Sequence, residues 1–150
     1  MMKKLLYFGL LVFALFVLHD CMVTHSKTFY IPAIQLYVKV TTNYHTDISY
    51  LYLSYNKEFG DNYIKFESLD KRYPDIPLHL VNNKLIEVYT NEFGINKIKE
   101  IKSSSKIYYT SNDSINYWEF KNLPLVIVYG RGRHVIFINK GRKNEKVIEL

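Results

Sequence analysis

The side chains best suited to bind a metal or move a proton are five histidines, His19, His25, His45, His79 and His134. Metal sites are usually organised by a local pair of ligands that one strand face or helix turn presents together. No two of these histidines are two or four residues apart. His79 alternates with Leu78 and Leu80, so it reads as a strand histidine facing away from them. Neither a metal nor a cofactor is expected.

Nucleophilic chemistry finds no better support. The chain has no Gly-x-Ser-x-Gly elbow, and its one cysteine, Cys21, follows the N-terminal apolar run. Asp61, Asp70 and Asp75 stand in turn-like stretches, where capping of the backbone accounts for them. A hydrolase would have to assemble carboxylates from distant strands, which leaves it an alternative rather than the main reading. Gly130-Arg131-Gly132-Arg133 has the composition of an anion cradle. Phosphate loops, however, lead into a helix N-terminus, and here a strand-like run follows, so a solvated hairpin turn is expected.

The basic residues Arg131, Arg133, Lys140, Arg142, Lys143 and Lys146 cluster in sequence. They belong to two turns separated by one strand, which places them at opposite ends of a sheet. No nucleic-acid partner is expected. Asn112-Asp113-Ser114 matches an N-glycosylation acceptor, with meaning only in a eukaryotic secretory pathway. What remains is a tyrosine surface. Tyr50, Tyr52 and Tyr63 fall on one face of an expected hairpin, and exposed tyrosines give large contact area at low entropy cost. High β-propensity alone would also place them there.

The elements that must carry these residues begin with a leader. Lys3-Lys4 precedes an unbroken apolar run, Leu5–Leu18, ended by His19-Asp20. As a helix this run spans about 21 Å, short of the roughly 30 Å hydrocarbon core. Basic front and short apolar stretch match a secretion signal, and the lysines would stay inside. Residues 1–23 are therefore read as a signal peptide or membrane anchor. Cys21 is the candidate for lipidation, with Leu18 resembling the leucine of a bacterial lipoprotein signal; His19 and Asp20 depart from that pattern. An uncleaved anchor is weighed equally, and cleavage near Ser26 below both.

The remaining composition, 48% hydrophobic and 16% aromatic with a net charge of +6, is that of one packed, mildly basic domain. A single cysteine excludes an intrachain disulfide. Period-two alternation dominates from Phe29 onward. Strands are expected at Ile34–Val40, Ile48–Tyr55, Tyr63–Glu67, Leu78–Val81, Leu85–Tyr89, Lys106–Thr110, Ile115–Lys121, Leu125–Tyr129, His134–Ile138 and, less clearly, Lys146–Leu150. Asn82 and Asn83 suggest a hairpin turn with positive φ. Ile95, Ile98 and Ile101, three apart between lysines, suggest a short helix. Pro74, Pro77 and Pro124 are read as falling between strands. Residues 24–32 are read as a linker and 33–150 as a single β-rich domain. The expected fold is mainly β, an antiparallel sandwich or barrel of about eight short strands with at most one or two short helices.

These readings point to a membrane-tethered or exported, non-catalytic domain that binds a protein outside the cytoplasmic membrane. An immunity-type protein that neutralises a toxin is one specific form. A structural envelope lipoprotein is the alternative from another class.

Overall fold

The computed structural model describes residues 7–16, 24–43, 45–68, 76–89, 96–112, 123–130, 134–139 and 142–150. Residues 7–16 form a helix, α1, whose large apolar side chains, among them Phe8, Leu11, Phe13 and Phe16, are exposed. Among the described residues no helix is long and apolar enough to cross a membrane. Cys21, Leu18, His19, Asp20, Asp70, Asp75, Arg131, Arg133, Lys140 and the expected strand at 115–121 lie outside the described residues.

Twelve strands follow among the described residues, with a single turn of 3-10 helix at Pro32–Ile34. They are β1 (Thr24–Ile31), β2 (Leu36–Asn43), β3 (Ile48–Ser54), β4 (Tyr63–Ser68), β5 (Ile76–Leu80) and β6 (Leu85–Tyr89). The second half holds β7 (Asn96–Lys102), β8 (Tyr108–Asn112), β9 (Val126–Gly130), β10 (His134–Asn139), β11 (Arg142–Glu145) and β12 (Ile148–Glu149). One sheet has the order β12-β1-β2-β3-β4-β7 and the other β11-β10-β9-β5-β6-β8. The mainly β class read from alternation is correct, with more strands than the eight expected. All pairings are antiparallel except β6 with β8.

The two sheets bury their inner faces against each other. Leu36, Val38 and Val40 on β2, Leu51 and Leu53 on β3, and Ile64 and Phe66 on β4 meet Leu78, Ile86, Ile127 and Phe137 of the second sheet in one cluster. Phe66 and Tyr129 bridge the sheets edge to face, with ring centroids 6.2 Å apart. Because side chains alternate, each inward residue sends its neighbours outward. Tyr37, Lys39, Tyr50, Tyr52, Tyr63 and Lys65 are therefore obliged to share the outer face of the first sheet.

Several boundaries differ from the sequence reading, each for a local reason. Residues 24–31 are no linker: β1 pairs along its whole length with β2, from Thr24 opposite Asn43 to Ile31 opposite Leu36. The polar residues Thr24, His25 and Ser26 mask its strand character. The C-terminus holds this strand in place. β12 pairs with it, Lys27 Nζ lies 2.7 Å from Glu149 Oε1, and Leu150 N donates to Thr28 O. Ile34 belongs to the 3-10 turn and Gln35 takes φ 52°, so β2 starts only at Leu36.

The expected helix around Ile95–Ile101 is instead strand β7. Lys65 faces Glu100 but Phe66 faces Ile98, leaving Lys99 as the extra residue of a bulge. The bulge turns Ile98 and Ile101, three apart, both toward the core, which imitates helical spacing. Ser111 and Asn112, beyond the expected strand end at Thr110, complete β8. Pro77 lies inside β5 rather than between strands; pairing with β6 starts only after it, at Leu78. Neither Asn82 nor Asn83 takes a positive φ. The hairpin is closed by Asn82 Oδ1, which accepts from Lys84 N at 2.8 Å and Leu85 N at 2.9 Å.

Since Phe66 is fully buried where the two sheets meet, Phe66→Ala should destabilise the domain by about 3–5 kcal/mol. Urea denaturation followed by tyrosine fluorescence measures this. A loss below 1 kcal/mol would mean that the sheets do not pack through this ring.

Candidate functional site

The register of β3 and β4 brings Tyr50, Tyr52 and Tyr63 together. Tyr50 faces Lys65 across the hairpin and Tyr52 faces Lys39 of β2. The rings of Tyr50 and Tyr52 stack with centroids 6.3 Å apart, and Tyr63 stands edge-on to them at 5.5 Å and 6.2 Å. A second pair, Tyr30 and Tyr37, continues the face toward β1 with centroids 4.5 Å apart. Five tyrosines thus pave one side of the sheet. Each is half-buried.

Lysines are woven through this pavement. Lys39 Nζ lies 5.9 Å from the Tyr52 centroid and 5.7 Å from that of Phe59, in the β3–β4 loop. Lys65 Nζ lies 5.6 Å from Tyr50, and Lys102 Nζ 5.8 Å from Tyr63. Such contacts contribute about 0.5–1 kcal/mol each at exposed positions. Lys39 and Lys65 have no carboxylate partner among the described residues. Glu67 on the same face pairs instead with Lys99 of the bulge.

The Tyr63 hydroxyl donates to Glu100 Oε1 at 2.7 Å. This hydrogen bond to a carboxylate holds the phenol up at about 12, with burial and repulsion from Glu100 adding to it. The Tyr52 phenol is also raised, first by burial and then by Tyr50.

Beside the tyrosines, at the end of the sandwich where β3 turns into β4, lies a cleft of about 680 Å³. Leu53, Tyr55 and Ile107 form its apolar floor. One lip is the β3–β4 loop with Glu58 and Asp61; the other is the β7–β8 connection with Ser103, Ser104, Ser105 and Lys106. Lys102 belongs to both cleft and tyrosine face. The serines carry local structure: Ser104 Oγ accepts from Ile107 N at 3.1 Å and Ser103 Oγ from Tyr109 N at 2.9 Å. Ser54 Oγ fixes the opposite loop, lying 2.7 Å from the Glu58 carbonyl oxygen.

Asn62 is the polar residue set deepest in this cleft, 4% exposed. Its Oδ1 accepts from the Tyr109 hydroxyl at 2.8 Å and from Leu53 N at 3.4 Å. Its side-chain NH2 has no acceptor among the described residues. Sequence reasoning passed over Asn62 because an asparagine after Gly60-Asp61 looks like turn chemistry. It also missed Tyr30, Tyr37 and the lysines. Alternation through β2 and β4 is the signal for Tyr37, Lys39 and Lys65, whereas β1, polar over its first half, carries none for Tyr30.

On the second sheet, His79 Nδ1 and Glu87 Oε2 are 3.0 Å apart across the β5–β6 hairpin, and the Tyr89 hydroxyl donates to the same oxygen at 2.9 Å. These bonds, that to His79 first, lower the Glu87 pKa. His79 is thus a hydrogen-bonded strand histidine. No group of three metal-ligating side chains occurs among the described residues.

No protein-family model matches the chain, and no curated protein or solved structure matches it either.

An alkaline titration followed at 295 nm tests the Tyr63–Glu100 bond. The phenol's folded pKa exceeds its unfolded value near 10, so the bond's stabilisation is complete below pH 10 and is lost toward pH 12. Glu100→Gln should bring one tyrosine transition down from about 12 toward 10; an unchanged titration would mean the bond does not form in solution.

Proposed function

We propose that this chain is a membrane-tethered, non-catalytic domain that docks a protein partner outside the cytoplasmic membrane through the outer face of its first sheet. The observation that carries the reading is the pavement of Tyr30, Tyr37, Tyr50, Tyr52 and Tyr63 threaded by Lys39, Lys65 and Lys102. Rigid aromatic area with two torsions per side chain is the material of protein interfaces, and pre-stacked rings lose little further entropy on binding. An immunity-type role, in which the partner is a toxin arriving at the envelope, is the specific form of this reading.

The short join between leader and sheet supports tethering. β1 begins at Thr24, three residues beyond Cys21, and its first three residues pair with Asn43, Thr42 and Thr41. Cleavage after Ser26 would remove that paired end, whereas an anchor or an acylated Cys21 keeps it. The exposed apolar side chains of α1 also lack any cover among the core clusters.

Two measurements test this. A photo-crosslinking amino acid in place of Tyr52, in cells carrying the full chain, should label one discrete protein. The same probe at Ile136, exposed on the second sheet, should not. Equal labelling from both positions, or lipid adducts alone from Tyr52, would overturn the proposal. The intact mass of the membrane-extracted chain should equal full length, or lack residues 1–20 and carry added lipid. A chain starting at Lys27 would rule out the short tether.

A further inference from the structure

We infer that the cleft beside the tyrosine face receives an acidic side chain of the docked partner, with the Asn62 amide as its hydrogen-bond donor at the base and Lys102 and Lys106 as its cationic lip. This rests on the docking role of the sheet face proposed above and extends it to the partner's chemistry.

The cleft and the face are one continuous surface. Lys102 lines the cleft while its ammonium sits over the Tyr63 ring, and Phe59 of the cleft-side loop shares Lys39 with Tyr52. A segment lying across the tyrosines therefore meets the cleft at Lys102. Its position in the fold favours access. The leader joins the sheet at Thr24, opposite Asn43, whereas the cleft lies at the Ile31 end. The eight residues of β1 separate the two by about 25 Å at 3.3 Å per residue.

The donor set selects the ligand. A buried amide NH2 without a protein acceptor is costly, and an incoming acceptor removes that cost. Asn62 cannot turn its oxygen toward the cleft without breaking its bonds from Tyr109 and Leu53. It can therefore offer only N–H. Ser103 and Ser104 already use their oxygens as acceptors for backbone N–H groups, which leaves their hydroxyl protons as further donors. Two lysines complete a site rich in donors.

The rim also carries Glu58 and Asp61, both on the β3–β4 loop. Glu58 Oε2 accepts from Asn56 Nδ2 at 3.3 Å, and Asp61 Oδ2 is a loose 4.0 Å from Lys102 Nζ. Asp61 is 90% exposed, so water screens this pair and an incoming carboxylate can replace it. Across the adjoining face the charge is cationic, since Lys39 and Lys65 lack carboxylate partners among the described residues. A partner surface bearing several carboxylates complements both regions, and long-range attraction would speed its encounter.

The test uses the full chain, isotope-labelled in neutral maltoside micelles and titrated with hexaglutamate while the Asn62 side-chain amide and tyrosine ring signals are followed. Hexaglutamate should shift both sets at low salt, and hexalysine neither. Asn62→Asp keeps an oxygen for Tyr109 and Leu53 but replaces the donor, and should weaken binding at least tenfold. Lys106→Gln, at an exposed position, should weaken it about threefold and guards against misfolding of the first variant.

Shifts at the tyrosines but not at Asn62 would overturn the cleft inference and leave the docking face standing. Shifts at Asn62 alone would keep the cleft and remove the face. Equal response to hexalysine, or stronger response to polygalacturonate than to hexaglutamate, would overturn the acidic-peptide assignment.

Discussion

The outer faces of the two sheets are placed by the requirement that their apolar inner faces bury each other. Phe66 and Tyr129 meet across the interface, and the rows around them fill the space between the sheets. Once Leu51, Leu53, Ile64 and Phe66 point inward, the residues between them have no freedom of direction. Tyr50, Tyr52, Tyr63 and Lys65 must form a face of their own. A one-residue slip of β3 against β4 would bury the tyrosines and expose the leucines. The hydrophobic core thus guards the integrity of the outer surface.

That surface resolves a conflict between solubility and stickiness. A bare field of aromatic rings would invite aggregation, and a field of lysines would repel itself. Interleaving lets each ammonium rest on a ring while staying in water, its alkyl stem covering apolar area. Glu100 adds a fixed acceptor for the Tyr63 hydroxyl, so this ring is oriented by a bond as well as by packing. The face is consequently pre-ordered.

How far the sequence spoke for this arrangement follows from where alternation is clean. β2, β3 and β4 alternate without interruption, and the β3–β4, β5–β6 and β9–β10 hairpins were legible with the right partners. β7 was hidden because its bulge adds one residue and converts a period of two into an apparent three. β1 was hidden because its first half is polar on both faces and its pairing is supplied by distant partners, including the C-terminal β12. The tyrosine trio could be grouped from sequence because it lies within one hairpin. Tyr30, Tyr37, Lys39 and Lys102 join it only through register between strands. Asn62 was illegible, since its bond to Tyr109 spans forty-seven residues and two sheets.

Two of the hydrogen-bonded polar groupings among the described residues contrast in a way that bears on the proposed binding site. On the second sheet Glu87 gathers donors from His79, Tyr89 and Asn112, and their combined effect lowers its pKa. That grouping satisfies its own carboxylate and works as a clasp between strands, a role needing no ligand. Asn62 and Tyr109 make the opposite arrangement. Burial raises the Tyr109 phenol, so it stays a neutral donor to Asn62 Oδ1, and this fixes the orientation of the amide. Orienting the oxygen inward commits the NH2 to the other side, where no acceptor among the described residues meets it. A buried tyrosine that orients an amide, with that amide's donors left open beside an ordered aromatic face, is the feature on which the proposed docking of an acidic partner rests.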